Sequence, residues 1–158
     1  MSAVVRSHAP EFRPMREDDV ARIMPIERDV YEFPWSAAIF TDCLQVGYCC
    51  WVLEDACGQI EAYGVMSVAA GECHILNLCV RRNSQGAGYG RRLLEYLLDV
   101  AAGHKADVAF LEVRPSNTVA RHLYDTAGFN EVGMRRNYYP ARNGREDAII
   151  MAKTLIQT

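Results

Sequence analysis

The sequence predicts an α+β fold: a mixed sheet of about seven strands with about four helices packed on it. Three observations carry this expectation. Three strand-like runs joined by tight turns follow one another between Tyr48 and Val80. The period then changes to that of an amphipathic helix at Leu93. Beyond it, strand and helix signals alternate to the C-terminus, giving the order β-α-α-β-β-β-α-β-α-β-β.

The elements follow in turn. Phe12-Arg13-Pro14-Met15 reads as a short strand. Glu17, Asp18 and Asp19 put negative charge where a helix N-terminus favours it, and Val20, Ile23, Met24 and Glu27 continue at helical spacing. Phe33-Pro34-Trp35-Ser36 breaks that pattern, and Ser36 is placed to cap a second helix running to about Leu44. Cys50 to Leu53, Ile60 to Ala69 and Cys73 to Val80 form an antiparallel meander, with turns at Ala56 to Gln59 and at Gly71. Leu93, Leu94, Leu97, Leu98 and Ala101 make one apolar helical face, and Gly103 is a natural stop. Val108 to Val113 reads as a buried strand. Ser116 or Asn117 caps another helix, whose apolar face is Val119, Ala120, Leu123, Tyr124 and Ala127, ended by Gly128. Strands near 129–137 and 147–153 close the chain, joined by a turn from Pro140 to Gly144.

The chain has 158 residues, of which 50% are hydrophobic and 23% charged. That composition suits one ordinary globular domain over 11–158, preceded by a frayed leader at 1–10. The formal net charge of −3 disfavours a nucleic-acid binder. No window reaches the apolar length of a membrane span, and the first ten residues lack the apolar core of a signal peptide. Six cysteines, four of them inside apolar runs and none in a C-x-x-C pair, read as reduced thiols in a cytoplasmic protein. A metal site is not expected.

Gln85-Gly86-Ala87-Gly88-Tyr89-Gly90 lies between a strand and a helix. Its glycines let the backbone approach a ligand, and the exposed N–H groups with the helix dipole suit an anion such as a diphosphate. The dinucleotide fingerprint fails, because Arg91 stands where a third glycine is required, and no Gly-Lys-Ser/Thr of a P-loop is present. Left to itself, the loop is equally well read as a turn that merely starts a helix.

The loop has company. Asn77-Leu78-Cys79-Val80-Arg81-Arg82 precedes Gln85-x-x-Gly88-x-Gly90, and together they resemble the acetyl-CoA motif of the GNAT superfamily of N-acetyltransferases. Leu111-Glu112-Val113-Arg114-x-x-Asn117 and Leu123-Tyr124-x-x-x-Gly128-Phe129 follow at that family's spacing. Phe33-Pro34-Trp35-Ser36, Arg135-Arg136-Asn137-Tyr138-Tyr139-Pro140 and Gly144-Arg145-Glu146-Asp147-Ala148 resemble the RimI branch, the bacterial ribosomal-protein-alanine acetyltransferases. The resemblance runs from about Phe12 to the C-terminus. It departs at Gly86, where relatives often carry a cationic or polar side chain.

The resemblance implies a sheet whose central strands splay apart around acetyl-CoA. The backbone of Leu78, Cys79 and Val80 would bind the acetyl and pantetheine portion like an added strand. Gln85, Gly86, Ala87, Gly88, Tyr89, Gly90 and Arg91 would surround the diphosphate, with Arg82 nearby. A backbone N–H, from Val80, would polarise the thioester carbonyl. Asn117 would be a cap, a CoA contact, or both.

Amide formation from a thioester needs a neutral amine, a stabilised oxyanion and a protonated leaving thiolate. Roughly a tenth of an α-amine is neutral at pH 7, against under a thousandth of a lysine side chain. Glu112, the single carboxylate in an apolar strand, is the candidate base, with burial expected to raise its pKa. A structural role for it, tied to Arg114 or a helix N-terminus, is the alternative. Tyr124 reads from periodicity as a core residue; the resemblance makes it the proton donor to sulfur and a CoA contact. Phe33, Pro34 and Trp35 on one side, with Tyr138 and Tyr139 on the other, would form a slot for a peptide end. A covalent acetyl-Cys79 route is disfavoured, because no histidine is placed to activate the thiol.

Three functions stay in view. The resemblance implies acetylation of a protein N-terminus, specifically the N-terminal alanine of small-subunit ribosomal protein eighteen. The same transfer to a lysine or small-molecule amine is the second. The third is a non-catalytic acyl-CoA-binding module, which the joint presence of Glu112 and Tyr124 disfavours.

Overall fold

The computed structural model describes residues 9–156; most of the leader expected at 1–10 therefore lies outside the described residues. Seven strands form one sheet: β1 (Glu11–Pro14), β2 (Cys49–Glu54), β3 (Ile60–Ala69), β4 (Glu72–Val80), β5 (Val108–Val113), β6 (Asn130–Ala141) and β7 (Gly144–Thr154). Four helices accompany them: α1 (Val20–Val30), α2 (Ala37–Gln45), α3 (Tyr89–Gly103) and α4 (Thr118–Thr126). Spatial order is β1-β2-β3-β4-β5-β7-β6, and every pair is antiparallel except β4 with β5. The mixed sheet and the helix count are those expected from the sequence.

Local chemistry explains the helix ends. Ser36 accepts a hydrogen bond from Ile39 N and starts α2; Asn117 accepts one from Ala120 N and starts α4. Gly88, at φ +85°, turns the chain into α3 with no side-chain cap. The α3 stripe Leu93, Leu94, Leu97, Leu98 and Ala101 is buried, as its period requires.

Two cores sit on opposite faces of the sheet. On one, α3 and α4 cover Cys73, Ile75, Ala109, Leu111, Val113 and Met151. On the other, α1 and α2 cover Cys50, Val52, Tyr63, Val65 and Cys79. Among the described residues no helix is long and apolar enough to cross a membrane.

Two expectations are corrected. Val119 stands in the apolar register of α4 yet is 82% exposed, because it borders an open cleft rather than the core. The final hairpin is longer than expected: β6 and β7 pair as far as Ala141↔Gly144, so Tyr138 and Tyr139 lie within a strand rather than before a turn.

Candidate active site

The site begins with a failure of pairing. β4 and β5 are tied at four register positions, Glu72↔Val108 through Ile75↔Leu111, and then part. At that point Leu76 is an extra residue in β4, between Ile75↔Met66 and Asn77↔Val65. Such a bulge bends the strand and turns the side chains beyond it over. Cys79 bonds Tyr63 across the β3–β4 ladder, so Leu78 and Val80 direct their backbone groups the other way, into the wedge. Two side chains mark that edge: the Tyr31 hydroxyl donates to Leu78 O (2.5 Å) and the Gln85 amide donates to Val80 O (3.1 Å).

A cleft of about 730 Å3 runs from this wedge over the glycine loop. Leu78, Val80, Arg82, Gln85, Gly86, Gly88, Tyr89, Gly90, Arg91, Asn117 and Tyr124 all line it. Gly86 and Gly88 hold φ of +84° and +85°, the left-handed region that side chains avoid, and a Cβ at either would meet open space. Backbone conformation, not crowding, therefore calls for glycine there. The N–H groups opening α3 have no side-chain cap, an arrangement that favours negative charge at this end.

Two loop and strand residues do not face the cleft. Ala87 is absent from its lining. Cys79 gives its backbone groups to Tyr63, and its thiol is buried under α1, where burial pushes the pKa up to about 12. The bulge at Leu76 is the reason: it sends Asn77 and Cys79 toward α1, and Leu78 and Val80 toward α3.

A second cleft of about 590 Å3 opens on the other side of the wedge. Phe33, Trp35, Tyr138 and Tyr139 line it together with Glu112 and Tyr124. Arg114 links one member of each aromatic group, its guanidinium lying 4.4 Å from the Tyr139 ring centroid and 5.4 Å from that of Phe33. Arg114 also donates to Pro140 O (2.8 Å) and Glu146 Oε1 (3.2 Å). It is thus engaged away from Glu112.

Glu112 is held by groups that sequence reasoning missed. His74 Nε2 lies 2.6 Å from Oε2, and Arg135 Nε lies 3.3 Å from Oε1. The expectation of a raised pKa is overturned. The hydrogen bond from His74, with the charge of Arg135, outweighs desolvation and holds the carboxyl below its ordinary range. Tyr124, on α4, is buried edge-on against Phe129 and lines both clefts; burial pushes its hydroxyl up to about 12.

Glu27 was also missed, although its place in the apolar stripe of α1 was a signal. The side chain is 1% exposed and accepts hydrogen bonds from Trp35 N (3.0 Å), the Tyr63 hydroxyl (2.6 Å) and the Asn77 amide (3.3 Å). It pins the 33–35 wall to the core. No comparable signal existed for His74, whose proximity to Glu112 depends on β4 and β5 being neighbours.

Comparison with known proteins is decisive at the level of family. Residues 9–129 match the model of the acetyltransferase (GNAT) family. This chain belongs to that family. Among its GNAT relatives is the [ribosomal protein bS18]-alanine N-acetyltransferase of Escherichia coli K12, 40% identical over 134 residues, covering 85% of this chain and 90% of the relative. The protein of that name from Haemophilus ducreyi is 34% identical over 137 residues, covering 86% and 94%. The crystal structure of the ribosomal-protein-S18-alanine N-acetyltransferase from Escherichia coli superimposes with a TM-score of 0.87 at 36% identity, covering 94% of this chain and 96% of that one. The chain is therefore a GNAT acetyltransferase, similar over nearly its whole length to enzymes that modify a ribosomal protein.

Proposed function

We propose that this single-domain enzyme transfers acetyl from acetyl-CoA to the α-amine of a protein N-terminus, with the N-terminal alanine of ribosomal protein bS18 as acceptor. One observation carries the reading. The two clefts meet at the β4–β5 wedge, and Glu112 and Tyr124 both line the acceptor-side cleft at that junction.

The residues fit the donor. The uncapped turn from Gln85 to Arg91 offers amides to a diphosphate. Leu78 and Val80 turn backbone groups that lack a strand partner toward the wedge, where a pantetheine arm can lie as an added strand. The Val80 N–H is on that edge and serves the oxyanion. Acetyl-CoA supplies the activated acyl group; the chain supplies alignment and proton traffic. Glu112 takes the proton lost by the amine as the C–N bond forms. Tyr124 gives its hydroxyl proton to the sulfur as the C–S bond breaks. His74 and Arg135 act through Glu112, keeping its carboxylate ionised and aimed.

A carboxylate held low in pKa is a weak base. That favours an acceptor already partly neutral near pH 7, an α-amine, over a lysine side chain. Phe33 and Trp35 against Tyr138 and Tyr139 suit an extended peptide end. All six cysteines are free, which fits a reducing compartment, and we place the enzyme in the cytoplasm.

The test is a panel of peptides of one sequence with free or blocked N-termini. Acetylation confined to free N-termini, strongest with the bS18 N-terminal sequence, is the expected result. Acetylation that survives blocking would move the acceptor to lysine. Acetyl-CoA binding with no acceptor turned over would leave a binding module.

A further inference from the structure

Tyr31 stands between the two clefts and has no part in the chemistry described above. It is the residue just past α1, with its N–H bonded to Glu27 O (3.0 Å) and its hydroxyl donating to Leu78 O (2.5 Å). It therefore bridges from the α1 side of the sheet to the edge of β4 that has no strand partner beyond Ile75. Its ring packs against the core beneath α1, beside the Cys79 thiol. Burial holds the hydroxyl well above its ordinary pKa, so it remains a donor. It lines both the donor and the acceptor cleft.

A transferred acyl carbon has only one place to be. The amine reaches it from one cleft and the thioester from the other, so it lies where the two share residues. Phe33, Leu78, Arg114, Asn117, Ala120 and Tyr124 are shared with Tyr31 at that junction. Leu78 provides the strand edge, Ala120 is small, and Tyr124 is assigned to the leaving sulfur. Two large side chains enter this space from the α1 side; Phe33 is 40% exposed, whereas Tyr31 is anchored at both its N–H and its hydroxyl. A ring tethered through its hydroxyl cannot swing aside without losing a part-buried hydrogen bond.

We propose that Tyr31 limits the length of the acyl group, closing the end of the acyl site so that acetyl fits and longer chains do not. The inference rests on the acyltransferase reading given above. One methylene in such a pocket changes specificity by roughly 10- to 200-fold.

The experiment measures kcat/KM for acetyl-, propionyl- and butyryl-CoA with one free-N-terminus peptide, for the wild-type enzyme and for Tyr31→Ala, Tyr31→Leu and Tyr31→Phe. The wild type should prefer acetyl over propionyl by at least about tenfold. Tyr31→Ala and Tyr31→Leu should reduce that ratio to within a few-fold, and Tyr31→Phe, which keeps the ring, should retain most of it. Because the readout is a ratio between donors, partial loss of folded protein cancels, and the leucine variant serves if the alanine variant does not fold. An unchanged ratio in the shortened variants, or a wild type indifferent to chain length, would overturn the proposal while leaving the acetyltransferase reading intact. A wild type that consumes none of the donors would overturn both.

Discussion

His74 and Glu112 meet at 2.6 Å across the parallel seam, with the imidazole side chain 34% exposed and the carboxylate 10%. The contact turns a largely buried carboxyl, whose pKa desolvation alone would raise, into one held below its ordinary range. Glu112→Gln should therefore retain acetyl-CoA affinity and lower kcat by about 10²- to 10⁴-fold. The deficit should shrink above about pH 8, where the α-amine sheds its own proton. His74→Ala removes the largest influence holding the Glu112 pKa down, so the acid limb of the kcat/KM profile should move to higher pH. A pH–rate series on both variants checks these outcomes; wild-type rates in Glu112→Gln would remove the base.

Tyr124→Phe should lower kcat by one or two orders of magnitude with little effect on peptide KM. Its hydroxyl, pushed up to about 12 by burial, stays protonated through the working range. The wild-type profile should accordingly show no alkaline limb from this group below about pH 11. Steady-state kinetics with a free-N-terminus peptide decide the point.

Glu27 reaches the acceptor only through the loop it holds. Glu27→Gln exchanges one acceptor oxygen for an amide donor facing Trp35 N, Tyr63 and Asn77, so the 33–35 wall should loosen. Peptide KM should rise several-fold while the KM for acetyl-CoA stays near its wild-type value. A loss shared equally by both substrates would instead mean general destabilisation.

At the opposite edge of the sheet, Asp19 is 1% exposed and accepts from both Arg13 Nη1 (2.7 Å) and Nη2 (2.8 Å). Burial works to raise its pKa, yet the bonds from Arg13 and from Arg16 N bring it to about 2. A folded pKa below the unfolded value means that this stability is present above about pH 4 and is lost as pH falls through about 2. Asp19→Asn leaves Arg13 with Glu54 as its remaining acidic partner, so it should cost about 1–3 kcal/mol at neutral pH, and the difference from wild type should narrow in acid. Urea unfolding at pH 7 and pH 3 measures it.

Gly64 in β3 lies beneath α3, where an added Cβ would come 2.8 Å from Leu97 Cδ1 and 3.4 Å from Asn77 O. Gly64→Ala must displace the leucine tip, so a loss of about 1–3 kcal/mol is expected. Thermal melting of the variant tests this.

Much of this architecture could be read from residue patterns. Ile60–Ala69 and Val108–Val113 were delimited correctly because apolar runs between turn signals leave little choice. The α3 stripe was equally plain. The outer half of the β6–β7 hairpin was not, because β6 is exposed along most of its length and shows no alternation. Val119 misled for the opposite reason: an apolar residue in register faces solvent where its helix borders an open cleft. At the site, Phe33, Trp35, Tyr138, Tyr139, Glu112 and Tyr124 do converge on one cleft. What stayed hidden depends on which strands are neighbours. The bulge at Leu76 decides that Cys79 faces away, and the β4–β5 pairing brings His74 to Glu112. Neither follows from the local period of one strand.

The four-position seam between β4 and β5 also bears on how long the protein survives in a cell. Amide groups without strand partners make the empty enzyme locally weak, and a ligand that completes the seam favours the folded chain alone. At a hundredfold excess of such a ligand over its Kd, the gain is about 2.7 kcal/mol. The quantity of intact catalyst then follows the supply of activated acyl groups, so scarcity of that metabolite thins the enzyme population as well as slowing each member of it.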